Sequence, residues 1–375
     1  MTAPTAAPAP GGGPATVSTD PAPRPVGVRP TDANLLPGRS PLRVGPVRLL
    51  VRRRSILVAA LLLVLLAGAM VLSLSLGTPY VAPADVLRSL FADTPYDVVV
   101  EKLRLPRTVL AVAAGAAFGV AGTLIQSVAR NPLASPDVIG ITQGAGLVAT
   151  VALTTGASAA IIAPTALAGG LLAAAAVFAL GARHGLAAQR FVLAGVAVAV
   201  GLRALTEVVM LSADPIDGQR AQIWLIGTLA GKGWAEASWI ALTLLLLLPV
   251  LLWAGWALHT SALDDDTARG LGLRPTARRV GLASIGVVVA AMVTAQVGAV
   301  DFVALVAPQV ARRLVRTERP PLLSAALVGA LLVVLADLAG RRLFAPTQLP
   351  AGVLTAAIGG PYLLFLLVRG RRKDS

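Results

Sequence analysis

Between Ile56 and Leu76 the chain carries 21 consecutive residues without one charged side chain. A helix of that length rises about 30 Å, enough to cross the hydrocarbon core of a bilayer. Nine further apolar runs follow, at about 106–129, 137–155, 160–181, 190–211, 237–258, 279–299, 302–316, 322–341 and 350–369. The eighth of the ten, 302–316, is short for a full crossing. The pattern predicts an all-α polytopic membrane protein of about ten transmembrane helices, because lipid offers a spanning backbone no partner but itself. Composition agrees. The 375 residues are 56% hydrophobic and 13% charged, where soluble domains run at about 45–50% and about 25%. Aromatics are only 4%, so the apolar mass is Ala, Leu, Val and Gly, which suits close helix packing in lipid.

The formal charge is +14, from 32 Lys+Arg against 18 Asp+Glu. In a soluble protein that excess would suggest nucleic acid. Here the basic residues lie between the runs, so they read as topology, and no nucleic-acid partner is expected. With ten spans and the N-terminus inside, 23 basic residues fall on the cytoplasmic side and 8 outside, with Arg203 inside a span. Both termini are therefore expected in the cytoplasm of a multi-pass plasma-membrane protein. Residues 1–48 hold eleven of the 27 prolines and read as a disordered tail. Residues 49–370 form the permeating domain, with a cytoplasmic loop near 263–277, and 371–375 end the chain.

Several chemistries are excluded by residue type. There is no cysteine and there are only two histidines, His184 and His259, so neither a metal centre nor a thiol nucleophile is expected. No catalytic constellation and no cofactor motif is present, so the chain is not read as an enzyme. Gly227–Lys232 is one residue short of a phosphate loop and lacks the Ser or Thr that would hold magnesium. If ATP is used, another subunit hydrolyses it. Small residues at Ala111, Gly115, Gly119 and Thr123 form a stripe every four positions, repeated at Gly140 and Gly144. Such stripes serve close helix packing.

Two ionisable residues stand within a span. Arg203 and Glu207 are four apart and share a helix face. An intramembrane pair of this kind either compensates itself or lines a polar route. Polar breaks also occur at Gln126, at Gln143 and over Arg130–Asp137, where Pro132 and Pro136 stop the flanking helices. Asp264, Asp265 and Asp266 form the acidic run that opens the large cytoplasmic loop.

These residues carry a resemblance. Leu103-Arg104-Leu105-Pro106-Arg107, then Gly115, Gly122 and Gln126, then Asn131-Pro132-Leu133-Ala134 with Pro136, Gly140 and Gly144, match one long signature. Leu193–Ala197, Ala268-Arg269 with Leu271-Gly272-Leu273, Phe302–Pro308 and Ala336-Asp337 through Pro361 follow in order. Over about residues 50–370 the chain resembles the FecCD-type permeases, the membrane subunits of ABC importers for iron–siderophores, haem and vitamin B12. The resemblance implies a type II importer architecture of ten helices. It implies a second permease of the same type, a dimer of cytoplasmic ABC ATPases and an extracytoplasmic substrate-binding lipoprotein. By it, Arg104, Arg107 and Arg341 dock the binding protein, Asn131 and Leu133 form the cytoplasmic gate, and Asp265, Ala268, Arg269, Leu271 and Gly272 couple to the ATPase.

The chain departs from the family pattern at Gly298-Ala299-Val300-Asp301-Phe302, where many members have Gly-Pro-Ile-Gly-Phe, and at Gln309, where many have His. Arg203 replaces a small or polar residue. The variant with Gln309 and Arg312-Arg313 resembles siderophore-type members, so ferric siderophore is the expected cargo, with Arg203 and Glu207 on its path and Arg203 holding an anionic chelate. Haem or cobalamin import is the alternative within the class. An ion-coupled secondary transporter using Glu207, or a membrane-embedded structural or signalling subunit, is the alternative outside it.

Overall fold

In a computed structural model, the described residues are 39–44, 47–137, 139–182, 188–260, 265–270, 272, 274–317 and 320–371. Two units are distinct, divided after Arg52. The first contains an antiparallel hairpin, β1 (Arg39–Val44) with β2 (Val47–Arg52), in the register Arg39↔Arg52 to Val44↔Val47. The sequence reading placed no strand there. The remainder of the expected tail, residues 1–38, lies outside the described residues.

The second unit is helical. It runs through α1 (Arg53–Ser75), α2 (Pro83–Ser89), a π-helical turn at Val98–Arg104, α3 (Leu105–Ala129), α4 (Ile141–Thr154) and α5 (Ala159–Ala182). It continues with α6 (Ala188–Leu211), α7 (Pro215–Ile226), α8 (Trp234–Thr260), α9 (Asp265–Gly270) and α10 (Pro275–Val297). The last three helices are α11 (Val303–Val315), α12 (Leu322–Arg342) and α13 (Ala351–Arg371). A helix stands at each of the ten apolar runs. Seven helical stretches are long and apolar enough to cross a membrane, while α4 and the Ala351–Phe365 part of α13 are shorter. α11, at 13 residues, rises only about 20 Å. The helices α2, α7 and α9 lie in the connections, where the apolar runs carried no signal for them.

α3 is the centre of the bundle: 83% of its apolar window is buried. The small-residue stripe explains how. A Cβ at Gly115 or Gly119 would collide with the α12 backbone at Gly329 and Ala325, and one at Gly122 with α11 at Ala304. Without side chains there, the helix backbones touch and dispersion contacts replace the hydrophobic drive that lipid does not supply. Gly144 does the same for α4 against Gly169 of α5.

The ends of the bundle are pinned by arginines. Arg54 donates through Nε to Leu314 O at 2.9 Å, so the start of α1 and the end of α11 lie together. Arg104 donates to Leu74 O (2.7 Å) and Pro79 O (2.6 Å), which joins the start of α3 to the end of α1. The Trp234 indole donates to Glu101 O at 3.2 Å, bringing the start of α8 to the Arg104 end. Gly227–Lys232 immediately precedes it, away from the end that holds Arg54.

Candidate functional site

A cavity of about 660 Å³ opens between α4, α6, α7 and the link from α10 to α11. Its polar lining comes from Thr142 and Gln143 of α4, Arg203, Thr206 and Glu207 of α6, Gln222 of α7, and Asp301 of the link. α6 supplies the Arg203–Glu207 pair that sequence reading singled out. Arg203 Nε stands 3.3 Å from Glu207 Oε1, and the two side chains are 74% and 68% exposed. Among the described side chains of α6, the large exposed ones around the pair are Leu193, Val196, Val200, Leu205, Val208 and Leu211, an apolar surface that the ion pair interrupts.

The α10–α11 link is built to turn sharply. Gly298 has φ +76°, and Phe302 has φ +65°, a left-handed conformation rare for a residue with a bulky side chain. Phe302 is held there from the side by Gly359 of α13, whose missing Cβ leaves room for the ring. Such strain persists where the surroundings over-determine it, and it is concentrated at functional sites. Here it turns Asp301 toward the cavity. Sequence reading noted Asp301 only as a departure from a motif. Its place in the cavity depends on two helices, α6 and α7, remote in sequence.

The expected gate residues lie on the connection after α3. Arg130 ends that helix with φ +47°. Leu133 N–H then donates to Asn131 Oδ1 at 2.9 Å, a local turn that joins the two predicted residues. The turn is tied to α11 by Gln309, whose Nε2 donates to Pro132 O (3.2 Å) and to the buried Gln126 Oε1 (2.7 Å). Gln126 in turn donates to Leu305 O at 3.1 Å. In the sequence the network showed only as polar breaks at Gln126 and Arg130–Asp137 and as a departure from the family pattern at Gln309. Farther on, Asp137 accepts from Thr142 Oγ1 at 2.6 Å, beneath the cavity wall.

The expected coupling residues are partly described. Asp265, Ala268 and Arg269 lie on the short helix α9, with Ala268 buried and Arg269 exposed. Gly272 follows with φ +73°, donating its N–H to Arg269 O at 2.9 Å. This is a tight turn, ahead of the spanning helix α10. Leu271 and the side chain of Asp265 lie outside the described residues.

The three arginines expected to dock a binding protein gather at the opposite end. Arg104 is only 8% exposed and its guanidinium is held by backbone carbonyls. Arg107 of α3 and Arg341 of α12 converge on Asp337, which is 2% exposed. Arg107 donates to Asp337 Oδ1 at 2.7 Å. Arg341 Nε lies 3.0 Å from Asp337 Oδ2, a charge contact, while its Nη2 donates to Ser73 Oγ at 2.7 Å. Arg107 Nη1 points outward to Gln348 Oε1 at 3.3 Å. Among the described residues no group of three or more His, Cys, Asp or Glu side chains is placed to hold a metal ion.

The FecCD transport family profile matches residues 62–369, nearly all of the helical unit. The chain belongs to the FecCD transport family. It is 39% identical over 320 residues to the achromobactin transport system permease protein CbrC of Dickeya dadantii, covering 83% of this chain and 91% of that one. It is 36% identical to the Fe(3+)-citrate import system permease protein YfmE of Bacillus subtilis, covering 86% and 98%. It is 37% identical to the ferric enterobactin transport system permease protein FepG of Escherichia coli, covering 85% and 98%. A solved structure described as an inward-facing metal-chelate type ABC transporter superposes with a TM-score of 0.73 at 26% identity, covering 84% of this chain and 99% of that one. This FecCD member is thus a polytopic membrane permease, a transporter subunit and not an enzyme, as the sequence reading expected.

Proposed function

We propose that this FecCD permease carries a ferric siderophore into the cytoplasm, received from an extracytoplasmic binding lipoprotein and driven by a dimer of cytoplasmic ABC ATPases. The names of its relatives, permease proteins of achromobactin, Fe(3+)-citrate and ferric enterobactin systems, support the cargo class. One structural observation carries the path: the Arg203–Glu207 pair, exposed on an otherwise apolar face of α6, borders a polar cavity. A charge pair costs several kcal/mol when left against hydrocarbon (about 2.5–3.5 per charge on insertion scales). The pair therefore faces water and a second FecCD-type permease, with the cargo path between the two.

The remaining assignments follow the same frame. The Arg54 end, with Arg130, Arg312, Arg313 and Arg316, is cytoplasmic by the excess of basic residues. There the Asn131–Leu133 turn serves as gate, and α9 with Gly272 meets the ATPase. Outside, Arg104, Arg107 and Arg341 form the docking face, with Arg107 Nη1 the atom turned toward a partner's carboxylate. Uptake of radiolabelled ferric chelates into vesicles, with ATP inside or omitted, tests the reading. Uptake that needs ATP and the binding protein supports it. Uptake that follows a proton or sodium gradient without ATP would replace it with a secondary carrier.

A further inference from the structure

We propose that Asp301 reads the charge of the chelate in this cavity, favouring cargo with a cationic or neutral periphery over polyanionic cargo. The inference rests on the importer reading for its substrate and on geometry for its charge. Three ionisable side chains line the cavity: Arg203, Glu207 and Asp301. Arg203 is engaged by Glu207 on its own helix, so the cation expected to hold an anionic chelate is already offset. Asp301 has no such partner: no ion pair or side-chain hydrogen bond holds its carboxylate among the described residues, and burial pushes it up to about 7, so its charge is developed at the pH 8 of the labelling test below. Asp137, behind Thr142, is occupied as the acceptor of that residue's hydroxyl. With Arg203 and Glu207 offsetting each other, Asp301 is the remaining ionisable group of the cavity wall, and it is an acid.

A simpler role would be capping of α11, since acids favour a helix start. The hydrogen bonds argue against it. The N–H groups of Leu305 and Val306 donate to Phe302 O, and that of Val303 to the Asp301 backbone carbonyl. The carboxylate is left to the cavity. The left-handed Phe302 and the Gly359 that accommodates its ring hold the link in the turn that presents it. In a confined, partly wet space one unit charge changes local ion concentration several-fold. A chelate bearing an ammonium group gains from Asp301 what a citrate complex loses.

The chain has no cysteine, so a single reporter thiol can be read without background. Gln143→Cys, on the cavity wall in the assembled transporter, is labelled at pH 8 with trimethylammonium-ethyl or sulfonatoethyl methanethiosulfonate. Asp301→Asn should lower the cationic-to-anionic rate ratio about fivefold, the scale of one unit charge at such a site, while Asp301→Glu keeps it. Asp301→Ser repeats the measurement with a smaller side chain if the amide lowers membrane levels. An unchanged ratio in the Asn and Ser variants, or an equal loss in the Glu variant, overturns the inference. In uptake assays the parent should take up ferrioxamine B, which carries an ammonium, and uncharged ferrioxamine E in preference to ferric citrate. Asp301→Asn should lower ferrioxamine B relative to ferrioxamine E by a similar factor. Preference for ferric citrate overturns the selectivity. Failure of the importer reading shows separately: no version takes up any chelate, while the reporter ratio still responds to Asp301.

Discussion

Asp337 of α12 accepts hydrogen bonds from both Nε and Nη2 of Arg107 of α3, the shortest at 2.7 Å, across 230 residues of sequence. With Arg341 on its other side, one buried carboxylate holds two cations and clamps one end of α3 to one end of α12. Removing one member of a buried charge set leaves the rest unpaired, at a cost of about 3–5 kcal/mol. Asp337→Ala is therefore expected to lower the level of folded protein in the membrane and its thermal stability in detergent, read by fluorescence-detected size exclusion. Asp337→Asn, which keeps a hydrogen-bond acceptor, should lose less. Equal behaviour of Asp337→Ala and parent would mean the clamp carries no stability.

The α3–α12 seam makes a second expectation. At Gly119 a side chain meets the α12 backbone, which cannot move aside as a flexible side chain can. Gly119→Leu should destabilise by at least the roughly 1–3 kcal/mol of an overpacked core. Gly68→Leu on α1, where a Cβ meets nothing within 4 Å, is the matched control and should assemble normally.

The turn at Gly272 gives a test of coupling that leaves the bundle intact. Its φ of +73° costs a β-branched residue about 1–3 kcal/mol, and nothing crowds the site. Gly272→Val is expected to insert normally yet hydrolyse ATP without chelate uptake, as is Arg269→Glu. Normal uptake per ATP in both variants would remove the coupling role from this loop.

Docking is best probed at Gln348. Charge reversal of Arg104 would break the carbonyl contacts that hold α1 to α3, so its effect would mix folding with docking. Gln348→Glu instead places a carboxylate on the outward Nη1 of Arg107 and occupies the atom proposed for the partner. Association with the binding protein at low salt should weaken by a few-fold, and binding-protein-stimulated ATP hydrolysis should fall with basal hydrolysis unchanged. Exposed pairs are worth about 0–1 kcal/mol, so an effect of that size is expected and should fade in high salt. Tighter or unchanged association at low salt would count against the docking face.

The ten helices were legible in the sequence because a bilayer demands long uncharged runs, and each run satisfies its own backbone. The seam was legible as well: Gly115 and Gly119 stand four apart, and a stripe of missing side chains has one physical use in lipid. What the sequence left open was which helix meets which. Nothing near Arg107 announces Asp337, and nothing near Asp301 announces Arg203. Those meetings join residues about 100 to 230 positions apart, and they depend on how close two backbones come and on a left-handed Phe302 that needs Gly359 beside it. Local pattern dictates the helix because its hydrogen bonds are local. The charge balance of the cavity is a sum over side chains that only the packed bundle brings together.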